Sequence, residues 1–154
     1  MKFIAMIILV LCSTMAGVLF VDRSKQKITV CNQLVHFCDL LVVDFGYSLT
    51  PTVLLVDNLL KNESLQSLDF ITQEHIKSKT TVNSCLNDNE NEKISEFLYS
   101  LGKTDVKGQI KLVESFKKYM QICGDNYLQS YNKNHKLYLS FGFFGGLAVS
   151  LILA

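Results

Sequence analysis

The sequence predicts an all-α protein, on three observations. Apolar residues recur at spacings of three and four through the middle of the chain. Pro51 is the only proline in 154 residues, so long unbroken helices are permitted. No stretch keeps the two-residue alternation of a half-buried strand. Uncharged apolar runs at both ends set the architecture. The expectation is a cytoplasmic helical bundle flanked by an N-terminal and a C-terminal transmembrane helix, with an anchor at 1–21, a helical domain at 22–136 and a second membrane helix at 137–154.

From Phe3 to Val21 run 19 residues without a charge. As a helix that length crosses a hydrocarbon core of about 30 Å. The run is longer than the apolar part of most signal peptides, and Asp22-Arg23-Ser24-Lys25 follows without a small-residue cleavage site, which favours retention as an anchor. The second run, Leu137 to Ala154, has 18 uncharged residues and carries Gly142-x-x-x-Gly146. Small residues four apart allow close approach of a second membrane helix, so a homo-oligomer is compatible with this face. Arg23, Lys25 and Lys27 flank the first run, Lys133 and Lys136 flank the second, and only Lys2 lies beyond. The positive-inside rule therefore places the middle domain in the cytoplasm.

The middle domain opens with a helix over about 25–46, with Ile28, Cys31, Val35, Cys38, Leu41/Leu42 and Phe45 on its apolar face. Gly46-Tyr47-Ser48-Leu49 breaks it. Thr50 is placed to cap the next helix, about 51–61, with Pro51 in its first turn, where no N–H is needed. Asn62 or Ser64 starts another, bearing Leu65, Leu68, Ile71 and Ile76. Lys77 to Asn87 reads as a loop, and Asn89-x-x-Glu92 as a capping box. Ile94, Phe97, Leu98 and Leu101 form the next apolar face, ended by Gly102. From Thr104 or Asp105 a long helix runs to Lys133 or beyond, on a stripe of Val106, Ile110, Val113, Phe116, Met120, Cys123 and Tyr127. The two long helices are expected to pack antiparallel.

The chemistry-bearing residues are sparse. Five cysteines, with no C-x-x-C, read as reduced and mostly buried thiols. Cys31 and Cys38 share a helix face, from which His36 points about 140° away, so the three make no tetrahedral metal site. Gly102-Lys103-Thr104 lacks the upstream glycine of a phosphate-binding loop. Asp88-Asn-Glu-Asn-Glu92 lacks the glycine and spacing of a calcium loop. No catalytic residue, metal ligand or cofactor is predicted, and the chain reads as a non-enzyme. All 14 acidic residues and all but one of the 15 basic ones lie in the middle domain, which gives no electrostatic case for nucleic acid.

Three stretches, in order and spread across the chain, resemble the stage III sporulation protein AB family. They are Asp44-Phe45-x-Tyr47-x-x-Thr50-Pro51, then Leu101-Gly102-Lys103-Thr104-Asp105-x-x-x-Gln109, then Tyr138-x-x-x-Gly142-x-x-x-Gly146. Asp44 stands where the family often has Glu, Thr52 where Leu is usual, and the stretch 62–90 is short and lacks a tryptophan. The resemblance implies a membrane-anchored structural component of the channel complex between mother cell and forespore, similar to the inner-membrane platform of type II secretion. The partners it implies are the membrane, other stage III sporulation proteins and the ATPase of the same set. Tyr47, Thr50, Pro51, Leu101, Gly102, Asp105 and Gln109 are the candidate turn and interaction residues, and Gly142 and Gly146 the membrane-packing ones. The rival reading is a secreted or surface-anchored helical binding protein with a cleaved leader.

Overall fold

In the computed structural model, backbone is described for residues 2–47 and 51–153, and side chains for 22–47, 51–133 and 140. Every element is helical: α1 (Lys2–Tyr47), α2 (Thr52–Leu60), a 3-10 segment (Glu63–Leu68), α3 (Gln73–Lys77), α4 (Asp88–Ser100) and α5 (Val106–Leu153). The chain divides into two compact units. One joins Met1–Gln26 with Asp125–Ala154, and the other is Lys27–Gly124.

Within the second unit α1 and α5 lie side by side and antiparallel. Gly124 sits against Cys31, and the Lys117 ammonium reaches the Asp39 carboxylate, so each step up α1 is matched by a step down α5. A Cβ at position 124 would stand 3.3 Å from the Cys31 Cβ, tighter than ordinary packing. α4 lies antiparallel to α5 as well, where the Phe97 and Phe116 rings stack with centroids 3.9 Å apart and planes 3° from parallel. Val30, Cys31, Leu34, Phe37, Cys38 and Leu41 of α1 meet Val113, Phe116, Met120 and Cys123 of α5 in the core. Leu55, Val56, Leu65, Leu68 and Ile76 bring in the short elements, and the Ser67 N–H donates to Gln33 Oε1 at 2.8 Å.

One stretch among the described residues, Asp22–Tyr47, is long and apolar enough to cross a membrane, with mean hydropathy 1.4. Its length is compatible with membrane anchoring. Val30, Cys31, Leu34, Phe37, Cys38 and Leu41 of this stretch are buried in the core of the second unit, while Val43 and Tyr47 are exposed. Of the two predicted spans, 3–21 and 137–153 are helical, and apart from Ser140 their side chains lie outside the described residues.

The element boundaries differ from expectation in informative ways. The single helix expected from Asn62 or Ser64 to Ile76 is instead a 3-10 segment and a separate α3. Asn62 caps the first, accepting from the Ser64 N–H, while Thr72 and His75 exchange capping bonds and restart the chain as α3. The capping box of α4 is Asn87 and Glu90, two residues before the predicted pair; the Asn87 N–H donates to Glu90 Oε2 at 2.9 Å. Pro51 occupies the N-cap of α2 rather than its first turn, with its carbonyl accepting from Leu54 and Leu55. On α1 the core face is centred one residue off the predicted stripe, with Ile28 and Val35 only half-buried. Val106, predicted for the apolar face of α5, is 56% exposed.

Phe37 is fully buried between these elements. Phe37→Ala is expected to destabilise the full chain by about 3–5 kcal/mol, read as a fall in the urea midpoint in detergent micelles.

Candidate interaction site at the helix turns

The turn between α4 and α5 is built from local chemistry. Leu101 ends α4 with its side chain 2% exposed, locking the chain exit into the core. Gly102 follows with φ +79°, a left-handed conformation in which a side chain is strained. Its open side is also occupied, since a Cβ there would stand 3.1 Å from Thr52 Oγ1 at the start of α2. Asp105 then caps α5: its carboxylate accepts from the Gly108 N–H at 3.1 Å, and its carbonyl from the Gln109 N–H at 2.8 Å. Gln109 folds back beneath the turn, its amide donating to the Thr104 hydroxyl at 3.1 Å. The side chain is 3% exposed and Oε1 has no partner among the described residues.

The structure thus brings Leu101, Gly102, Asp105 and Gln109 together as one shaped turn, with Thr52 against it. Tyr47 stands at the end of α1, 92% exposed, and Pro51 is exposed at the start of α2. Thr50 lies outside the described residues, as do the surroundings of Gly142 and Gly146.

A second polar constellation was not predicted. Asn91 and Ser95 sit one turn apart on the buried face of α4 and hold the 78–87 loop. The Val82 N–H donates to Ser95 Oγ at 2.8 Å, the Ser84 N–H to Asn91 Oδ1 at 3.3 Å, and the Asn91 amide to the Leu86 carbonyl at 3.3 Å. The signal was present in the sequence: Asn91, Ile94, Ser95 and Leu98 share a helix face, and polar residues on an apolar face answer to buried backbone.

Two concavities flank α4. One, of about 530 Å³, lies between the loop at Lys79–Asn83 and Asp88, Asn91 and Glu92. The other, about 340 Å³, runs between α4 and α5 over Phe97, Leu112, Phe116 and Tyr119. Among the described residues no group of three or more His, Cys, Asp or Glu could hold a metal ion. Cys31, Cys38 and Cys123 are buried thiols and Cys85 is exposed; Cys12 lies outside the described residues.

Two measurements check this geometry. Gly102→Ala is expected to destabilise the chain by about 1–3 kcal/mol in urea unfolding, because it places a side chain in left-handed backbone against Thr52. The Tyr119 phenol is pushed up to about 12, first by burial and then by the adjacent Cys123. Its raised value stabilises the fold fully below pH 10 and loses that contribution as pH rises from 10 to 12. An absorbance titration at 295 nm is expected to show a late phenolate near pH 12 that Tyr119→Phe removes.

The family model of stage III sporulation protein AB matches residues 52–154. The match includes the Leu101–Gln109 turn and the Tyr138–Gly146 stretch, and begins just after the Asp44–Pro51 stretch. No curated protein and no solved structure matches the chain. The match covers well over half of its length, and the chain belongs to the stage III sporulation protein AB family, a family of sporulation proteins.

Proposed function

We propose that the protein is a membrane-anchored assembly component of the channel complex between mother cell and forespore, coupling a cytoplasmic ATPase to the membrane assembly. The observation that carries this reading is the family match, which runs from α2 to the end of the chain. The continuity of the long helices supports it. α1 and α5 each include one of the apolar runs, 3–21 and 137–153, in a continuous helical element.

In this reading 1–21 and 137–154 are the anchors and 22–136 is the cytoplasmic helical domain. The lysines and arginine beside the two runs orient that domain inward. Gly142 and Gly146 serve membrane-helix packing, and other stage III proteins share the assembly. A structural role fits the polar side chains of the turns, which serve capping and loop attachment.

Deletion of the gene in the source bacterium is expected to abolish heat-resistant spores after engulfment, with restoration by the intact gene. Normal spore counts would sink the channel role. A mature chain lacking 1–21 by mass spectrometry would instead favour the secreted binding protein.

A further inference from the structure

The start of α5 breaks a local rule. Lys107 is the second residue of the helix, and no acidic residue lies in its first turn. A lysine there opposes the positive end of the helix macrodipole and lowers stability. Lys111 follows one turn later on the same outer face, at roughly 100° per residue, opposite the buried Gln109, Val113, Phe116 and Met120. Lys103 precedes them in the turn, its ammonium over the Tyr99 ring. All three lysines are exposed, and none has an ion-pair partner among the described residues. Of the nearby carboxylates, Asp105 is engaged with the Gly108 N–H, Asp44 is half-buried on α1, and Glu114 is exposed one turn beyond Lys111, facing Lys117, so the net charge around the helix start stays positive.

Near the same end of the second unit, four apolar side chains are exposed among the described residues. The antiparallel register that sets Cys31 against Gly124 and Asp39 against Lys117 carries the last turn of α1 alongside the first turns of α5. There Tyr47 is 92% exposed, Val43 57% and Val106 56%, with Leu54 of α2 at 54%. An exposed tyrosine among aliphatic side chains, rimmed by charge, has the composition of an interface centre. Where stability is lost without a local gain, function is the usual reason.

We propose that this end of the bundle is a docking surface for a soluble protein that presents carboxylates around an apolar pocket for Tyr47. Charge complementarity with Lys103, Lys107 and Lys111 selects that partner. A second copy pairing about a two-fold axis here would set lysines against lysines. Lys118 continues this stripe along α5, but the exposed Glu114 stands between it and Lys111, so the face is not the uninterrupted cluster of four or more cations that anionic membranes recognise. On the reading above, the partner is the sporulation ATPase, and the surface is where it couples.

The test uses the full chain in nanodiscs and the purified ATPase of the same set. The double variant Lys107→Glu/Lys111→Glu is expected to weaken ATPase binding at least about tenfold, with the wild-type affinity falling as salt rises. Its melting temperature is expected to be unchanged or higher, because Glu at position 107 suits the helix start. Tyr47→Ala is expected to weaken binding as well. Unchanged affinity in both variants would overturn the surface while leaving the ATPase reading standing. If the wild-type chain does not bind the ATPase, that reading fails, and photocross-linking from Tyr47→p-benzoylphenylalanine in sporulating cells decides the surface separately. A soluble acidic protein cross-linked there, and lost in the double lysine variant, supports the proposal. A lipid adduct, a second copy of the chain or no adduct overturns it.

Discussion

The antiparallel contact of α1 with α5 is the constraint on which the second unit depends. Its tightest point is Cys31 against Gly124, where the absence of a side chain on α5 lets the helices approach. Close approach allows Leu34, Phe37, Cys38 and Leu41 to interdigitate with Val113, Phe116 and Met120, each buried to 7% exposure or less. The short elements could not be stable alone, since α2 has nine residues and α3 five. They hold their shape because the two long helices offer a continuous apolar wall. The Lys117–Asp39 pair is partly exposed at this seam and contributes little net energy; its effect is to favour one register.

Much of this was legible in the sequence because apolar spacing reports helices directly. The helical class, the long start and finish, the loop at 78–87 and the stop at Gly102 all follow from residue type and position. What was misplaced turned on competition between signals of equal local quality. Asn89-x-x-Glu92 and Asn87-x-x-Glu90 are both capping boxes in letters, and the structure uses the earlier one. That start puts Asn91 and Ser95 on the core face, where they satisfy the backbone of Val82, Ser84 and Leu86. Likewise Thr72 and His75 pair locally and divide a segment that periodicity alone joined. Gln109 shows the same limit. Polarity suggests exposure, yet the turn needs a long amide beneath Thr104, and tertiary context buries it.

The candidate turn residues separate by what holds them. Leu101, Gly102, Asp105 and Gln109 are explained by folding: a buried exit, a left-handed glycine, a cap and an amide brace. A substitution in this group changes the shape of the turn before it changes any contact with a partner. Tyr47 is different, because its ring is exposed at the end of α1. The three lysines are different too, and Lys107 runs against the helix field. The candidate residues thus combine those that build a scaffold with one that the scaffold exposes, and residue type alone cannot tell them apart. Burial and hydrogen bonding do.

That division bears on how such a component would work. The shaped turn joins the end of α4 to the beginning of α5, and Thr52 of α2 rests on Gly102, so three elements meet at one corner. Force applied at the exposed surface beside this corner would enter α5 at its first turn and α1 at its last. Both helices would receive it together, because their seam is closely packed and its register is held by bulky side chains that cannot slide past one another. Relative sliding would require lifting Cys31 away from Gly124 and breaking the Lys117–Asp39 pair, whereas moving the two helices together disturbs neither contact. The packing therefore favours transmission of motion along both helices over deformation between them.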